Sequence, residues 1–99
     1  RTLGMKKFSD DLNTAVITTK FIVEGKSPIL SVFHYDDGSW QFSGPEGDLS
    51  DDDYRVLSLD EVIKMDSTVL EIADLPYEGE AHRETKTSPW RMTSQSEFG

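Results

Sequence analysis

The stretch Pro28–Gly44, Pro-Ile-Leu-Ser-Val-Phe-His-Tyr-Asp-Asp-Gly-Ser-Trp-Gln-Phe-Ser-Gly, restricts the fold of this chain more than any other. Two runs of β-branched and aromatic residues flank Asp37-Gly38, a pair suited to the φ > 0 positions of a two-residue type I′ turn, so the stretch reads as a β-hairpin. A turn centred there sets the register: Tyr35 opposite Trp40, His34 opposite Gln41, Phe33 opposite Phe42 and Val32 opposite Ser43. Phe33, Tyr35, Trp40 and Phe42 then share one face, at non-hydrogen-bonded sites where each cross-strand pair adds roughly 0.2–1 kcal/mol. Leu30, Val32, His34, Gln41 and Ser43 fall on the other. An isolated hairpin is marginal in water, so further elements must cover the aromatic face.

Around the hairpin the chain supplies such elements. Thr14–Thr19 is rich in β-branched residues and reads as a strand. The apolar run that follows, Phe21–Val23, suits either more strand or a short helical turn. Glu24 to Pro28 and Gly44-Pro45 punctuate the chain on either side of the hairpin. Tyr54–Leu57 is apolar enough for another strand. Ser58-Leu-Asp-Glu61 is a capping box, with Leu57 and Val62 spaced as a staple, and predicts a helix from Leu59 to about Met65. Asp66-Ser67 offers a second cap, and the apolar pattern of Val69, Leu70, Ile72 and Ala73 runs on until Leu75-Pro76 stops it. Past Tyr77 the chain is polar. Glu80–Glu84 suggests one helical turn, Trp90 an anchor returning to an apolar surface, and the residues beyond it a disordered tail.

The expected fold is α+β: a small, mainly antiparallel sheet built on a central hairpin, with one or two short helices packed on one face. Residues 1–4 precede Met5 and read as the remnant of an expression tag, 5–13 as a flexible N-terminus, 14–91 as a single domain and 92–99 as a flexible C-terminal tail. Ninety-nine residues suffice for one modest core. The chain has no cysteine, which fits a reducing cytoplasm, and no apolar run long enough to cross a membrane.

A net charge of −9 and a pI near 4.5 argue against binding nucleic acid or anionic lipid. A basic partner is the natural complement, and plain solubility accounts for the charge as well. For the same reason the four hairpin aromatics read as core and not as a base-stacking platform. Glu46, Asp48, Asp51, Asp52 and Asp53 crowd one loop without the ligand spacing of a calcium site. The two histidines, His34 and His82, lack zinc-site spacing, and no nucleophile elbow, phosphate loop or dinucleotide fingerprint is present. The reading is therefore a non-enzyme with no metal and no cofactor. His34 and Gln41, opposed in the expected register, form either a cross-strand hydrogen-bonded pair or, with Arg83, a ligand pocket. Arg83 is flanked by Glu80 and Glu84, for which a local salt bridge worth about 0–1 kcal/mol is the plain account.

Ile29, Leu30, Val32, His34, Gly38, Trp40, Gln41 and Phe42, followed by Leu75-Pro76, Ala81, Arg83 and Pro89-Trp90, resemble a bacterial family first described as a domain of unknown function. Its members are now predicted to be immunity proteins of polymorphic toxin systems. The match runs from about Ala15 to Trp90, and Asp-Gly-x-Trp-Gln-Phe is its most specific piece. The chain departs from that pattern after Leu-Pro: Glu78 stands where the family has glycine, and Gly79 and His82 stand at its aromatic positions. The resemblance implies a cytoplasmic binding protein that neutralises a cognate toxin directly. Against a basic toxin, Asp48, Asp51, Asp52 and Asp53 are the expected partner-facing residues. The alternative is a small-ligand or regulatory domain with its pocket near His34, Gln41 and Arg83.

Overall fold

Gly38 turns the chain, at φ 90°, but the computed structural model, which describes residues 7–94, shows a three-residue loop of Asp36, Asp37 and Gly38. The Gly38 N–H donates to the Tyr35 carbonyl at 3.0 Å and the Tyr35 N–H to the Ser39 carbonyl at 2.9 Å. This is a type I turn closed by a left-handed glycine. The Ser39 hydroxyl and N–H both donate to the Asp37 carboxylate, at 2.7 and 2.9 Å, and hold its pKa below the ordinary value.

The extra loop residue shifts the register from the expected one. His34 lies opposite Trp40, Phe33 opposite Gln41, Val32 opposite Phe42 and Ser31 opposite Ser43. A one-residue slip moves the side chains of one strand to the other face relative to its partner. The four aromatics are consequently divided. Trp40 and Phe42 are buried with Val32 and His34, whereas Phe33 and Tyr35 look out from the opposite side.

The strands are β1 (Ala15–Thr19), β2 (Ser31–His34), β3 (Trp40–Ser43), β4 (Tyr54–Ser58), β5 (Gly79–His82) and β6 (Arg91–Ser94). Among the described residues they form a six-stranded sheet in the order β4-β1-β3-β2-β5-β6. Only β1 and β3 run parallel; the other neighbours are antiparallel, and the hairpin is central as expected. The Thr19 hydroxyl ends β1 by accepting from the Ile22 N–H at 3.3 Å, which starts α1 (Lys20–Val23). The capping box forms too: Ser58 Oγ accepts from the Glu61 N–H at 3.2 Å and Glu61 Oε1 from the Ser58 N–H at 3.0 Å. It opens α2 (Leu59–Met65), after which Asp66 caps a 3₁₀ helix, Ser67–Ile72. Leu59, Val62, Val69, Ile72 and Leu75 pack from this layer onto Val16, Val32, Trp40 and Phe42 of the sheet.

Three expected segments come out differently. Gly79–His82 is a strand and not part of a helical turn, because β2 has a free edge that β5 fills, from Ser31 opposite His82 to His34 opposite Gly79. Its alternation agrees, with Gly79 and Ala81 buried and the side chains between them outward. Beyond Trp90 the chain pairs with β5 as β6, so residues 92–94 belong to the sheet. Near the N-terminus Phe8 joins the core, meeting the Trp40 ring edge-on at 5.0 Å. The expected tag remnant at 1–4 and residues 95–99 lie outside the described range.

Glu78 adopts a φ of 64°, the left-handed region, at the position where the resembled family carries glycine. That conformation costs a residue with a β-carbon about 1 kcal/mol. Glu78→Gly should raise the melting temperature by roughly 2–4 °C, the greater flexibility of glycine in the unfolded chain offsetting part of the gain. Glu78→Ala, which keeps the β-carbon, should not; a lower melting temperature for the glycine variant would show that the backbone is unstrained there.

Candidate binding surface

His34, Gln41 and Arg83 do not converge. His34 and Gln41 sit in adjacent register positions on neighbouring strands, so they point to opposite sides of the sheet. The buried His34 ring stacks on Trp40 at 3.7 Å, meets Tyr77 edge-on, and donates from Nδ1 to the Leu75 carbonyl at 2.8 Å. Gln41 lies on the outer side, accepting from the Tyr35 hydroxyl and donating to Ser43 Oγ, both at 3.0 Å. Arg83 follows β5, with its N–H bonded to Leu30 O. Leu30 is four residues from His34, or roughly 13 Å along the strand.

Arg83 acts as a buried clamp on Asp66 and not through the local salt bridge expected with Glu80 and Glu84. Its Nε donates to the Ile29 carbonyl at 3.0 Å, one terminal nitrogen to Thr68 Oγ1 at 2.8 Å and the other to Asp66 Oδ2 at 2.7 Å. Trp90 covers the guanidinium at 4.1 Å and donates from Nε1 to the Thr68 carbonyl at 3.2 Å, the anchoring role expected of it. Burial pushes the Asp66 carboxyl up, but bonds from the Thr68 hydroxyl and N–H, with the Arg83 guanidinium, outweigh it and leave the pKa lowered.

The acidic loop is only partly free. Asp51–Asp53 form a 3₁₀ turn, in which the Ser50 N–H donates to Asp53 at 3.0 Å and Lys20 pairs with it at 3.2 Å. These two contacts, the Ser50 bond foremost, lower the Asp53 pKa. Asp48, Asp51 and Asp52 are exposed, while Glu46 bonds the Ser27 hydroxyl. Among the described residues no group of three potential ligands is placed to hold a metal ion.

The surface that sequence reasoning missed is the outer side of the sheet. Strand pairing lines up one row across its full width: Val56, Ile17, Gln41, Phe33, Glu80 and Thr93. Tyr35 stacks beside Phe33 at 6.3 Å, and His82 meets the Phe33 ring edge-on at 5.7 Å. Val56 is 68% exposed and Tyr35 40%; Ile17, Phe33 and Tyr54 are half-buried, and none of the five belongs to the core. Burial raises the Tyr35 pKa, with Tyr54 and Glu80 adding to the effect. The alternation within β1 and β4 carries this signal in the sequence, but only the correct hairpin register places Phe33 and Tyr35 with it.

His82 links Ser31 Oγ to Glu80 Oε1 through its two ring nitrogens, each contact 2.9 Å. The order serine, histidine, carboxylate is that of a hydrolase triad. Ser31, however, lies on a strand paired on both sides, so the neighbouring N–H groups are engaged in the ladder and cannot serve as an oxyanion hole. The chain of contacts ties β2 to β5.

Fold and surface together define a small α+β domain, a six-stranded mixed sheet with helices on one side and a half-apolar face on the other. Compared with known proteins, the chain matches no family model, no curated protein and no solved structure.

Proposed function

We propose that this chain is an immunity-type binding protein that neutralises a cognate bacterial toxin in the cytoplasm by direct contact, without catalysis. One observation carries the reading: a sheet face that leaves Val56, Ile17, Phe33, Tyr35 and Tyr54 outside the core, on a domain of net charge −9. The polar groups best suited to chemistry have structural partners, His34 beneath Leu75 and Arg83 on Asp66. The resemblance of the hairpin to immunity proteins supports the same reading. Co-expression with the product of the gene immediately upstream tests it: rescue of growth and co-purification are expected. A toxic upstream product that is neither bound nor neutralised would overturn the pairing.

Toward a basic toxin, the exposed Asp48, Asp51 and Asp52 steer encounter more than they strengthen the complex, because rim charges act mainly on the association rate. Replacing all three by asparagine should slow association several-fold at low salt and hardly at all near 0.5 M salt, where the screening length is only about 4 Å. Stopped-flow rates that do not change at low salt would exclude the loop from the encounter surface.

A further inference from the structure

We infer that the outer face of the sheet, where Val56, Ile17, Phe33, Tyr35 and Tyr54 run from the β4 edge to the hairpin, is the docking surface, and that its occupant is a protein patch with an apolar centre and a lysine- or arginine-rich border. This inference rests on the immunity reading and names the surface that reading requires. The solvent face of an antiparallel sheet normally alternates to polar residues. Here Val56 and Ile17 are cross-strand neighbours, and Gln41 alone separates them from Phe33 in the same row. The two tyrosines present rings with polar tips, the residue type enriched where an interface is partly wet.

Charge selects the occupant. The exposed carboxylates of Asp36 and Asp37 stand in the turn beside Tyr35, Glu78 and Glu80 stand on the β5 side, and Asp51 and Asp52 immediately precede β4. Of the cations nearby, Lys20 is already paired with Asp53, Arg55 alternates away from Tyr54 and Val56 along β4 and donates to the Asp52 and Tyr54 carbonyls, and Arg91 lies on the edge strand β6. A second copy seated face to face would set this border against its own carboxylates, at −9 per chain, and like charges across an interface cost several kcal/mol. Phosphate-bearing partners meet the same repulsion. A basic protein surface meets the border with opposite charge, and the apolar row then supplies the buried centre.

The test uses the full chain and the upstream gene product, with Val56→Glu and Tyr35→Ala on the outer face and Lys64→Ala on α2 as the control. Thermal melts confirm that each variant is folded. Either outer-face substitution should raise the dissociation constant about thirtyfold or more, as loss of a hot-spot side chain does, while Lys64→Ala leaves it unchanged. Wild-type affinity in both outer-face variants would overturn the surface and leave the immunity reading standing. No binding by the wild-type protein to a folded, toxic upstream product would overturn both. A wild-type dimer in sedimentation that Val56→Glu dissociates would assign the face to a second copy and overturn the basic-partner inference.

Discussion

Arg83→Ala should destabilise the domain by about 3–5 kcal/mol, the cost of breaking a buried ion pair from one side. The Arg83 and Asp66 side chains are 1% and 9% exposed, so removing the guanidinium leaves a carboxylate with little water to replace it. The Ile29 carbonyl and the Thr68 hydroxyl each lose a donor, and Trp90 loses the cation beneath its ring, worth about 0.5–1 kcal/mol more. Domains of this size are stable by only about 5–15 kcal/mol. The loss is a large fraction of that total, so the variant should melt well below the wild-type protein. Lysine is a poor substitute, since one ammonium cannot serve three acceptors held in a planar fork. Adding Asp66→Asn to Arg83→Met should recover part of the loss by removing the orphaned charge. Urea unfolding at pH 7 measures all of these; a loss below about 1 kcal/mol for Arg83→Ala would place the guanidinium in solvent.

The same cluster gives the protein an acid sensitivity of known sign. Asp66 titrates below its ordinary value in the folded state, so its contribution is fully present above the unfolded carboxylate pKa of about 3.9. That contribution disappears as the pH falls through the lower folded value. Urea midpoints should drop in this acid window, and Asp66→Asn, less stable at neutral pH, should drop less steeply there. Parallel pH profiles for the two proteins would mean that other carboxylates dominate the acid transition.

Local signals were legible where local chemistry decides the outcome. Ser58 and Glu61 form the reciprocal cap that their spacing announces, and α2 ends at Met65 as the pattern predicts. The Thr14–Thr19 strand and the second cap at Asp66 were equally readable. The hairpin register was not, because Asp-Gly serves both a two-residue loop and the last positions of a three-residue one. Choosing between them depends on whether Asp36 joins the turn, and that single residue decides which aromatics enter the core. β5 was obscured for another reason: Gly79 and Glu80 have little strand propensity, and the free edge of β2 overrides it. The partner of Arg83 could not be read from its neighbours in sequence, since Asp66 is 17 positions away and reaches it through the packing of the 3₁₀ helix on the sheet. The outer face shared the fate of the register, since without Phe33 and Tyr35 it looks like an ordinary solvent side.

Trp40→Ala should cost about 3–5 kcal/mol, whereas Tyr35→Ala should cost less than about 1 kcal/mol, and the contrast tests both the register and the division of labour between the faces. Trp40 is 1% exposed, lies nearly parallel to His34 at 3.7 Å, takes the Phe8 edge at 5.0 Å and donates from Nε1 toward Asp10 at 3.4 Å. Truncation there opens a cavity that several elements line at once, and it frees Phe8 and the N-terminal segment it holds. Tyr35, by contrast, loses one hydroxyl bond to Gln41 and a stacked neighbour at an exposed site. A two-residue turn would make these residues cross-strand partners on one face, and their truncations would then cost similar amounts. Under the observed register they separate: Trp40 sets stability, and Tyr35 stays exposed and available to the proposed partner. Chemical unfolding of both variants, read beside their affinities for the upstream product, should show Trp40→Ala losing stability and Tyr35→Ala losing affinity at nearly wild-type stability. Equal stability losses would return the hairpin to the two-residue turn and dissolve the outer face as a separate surface.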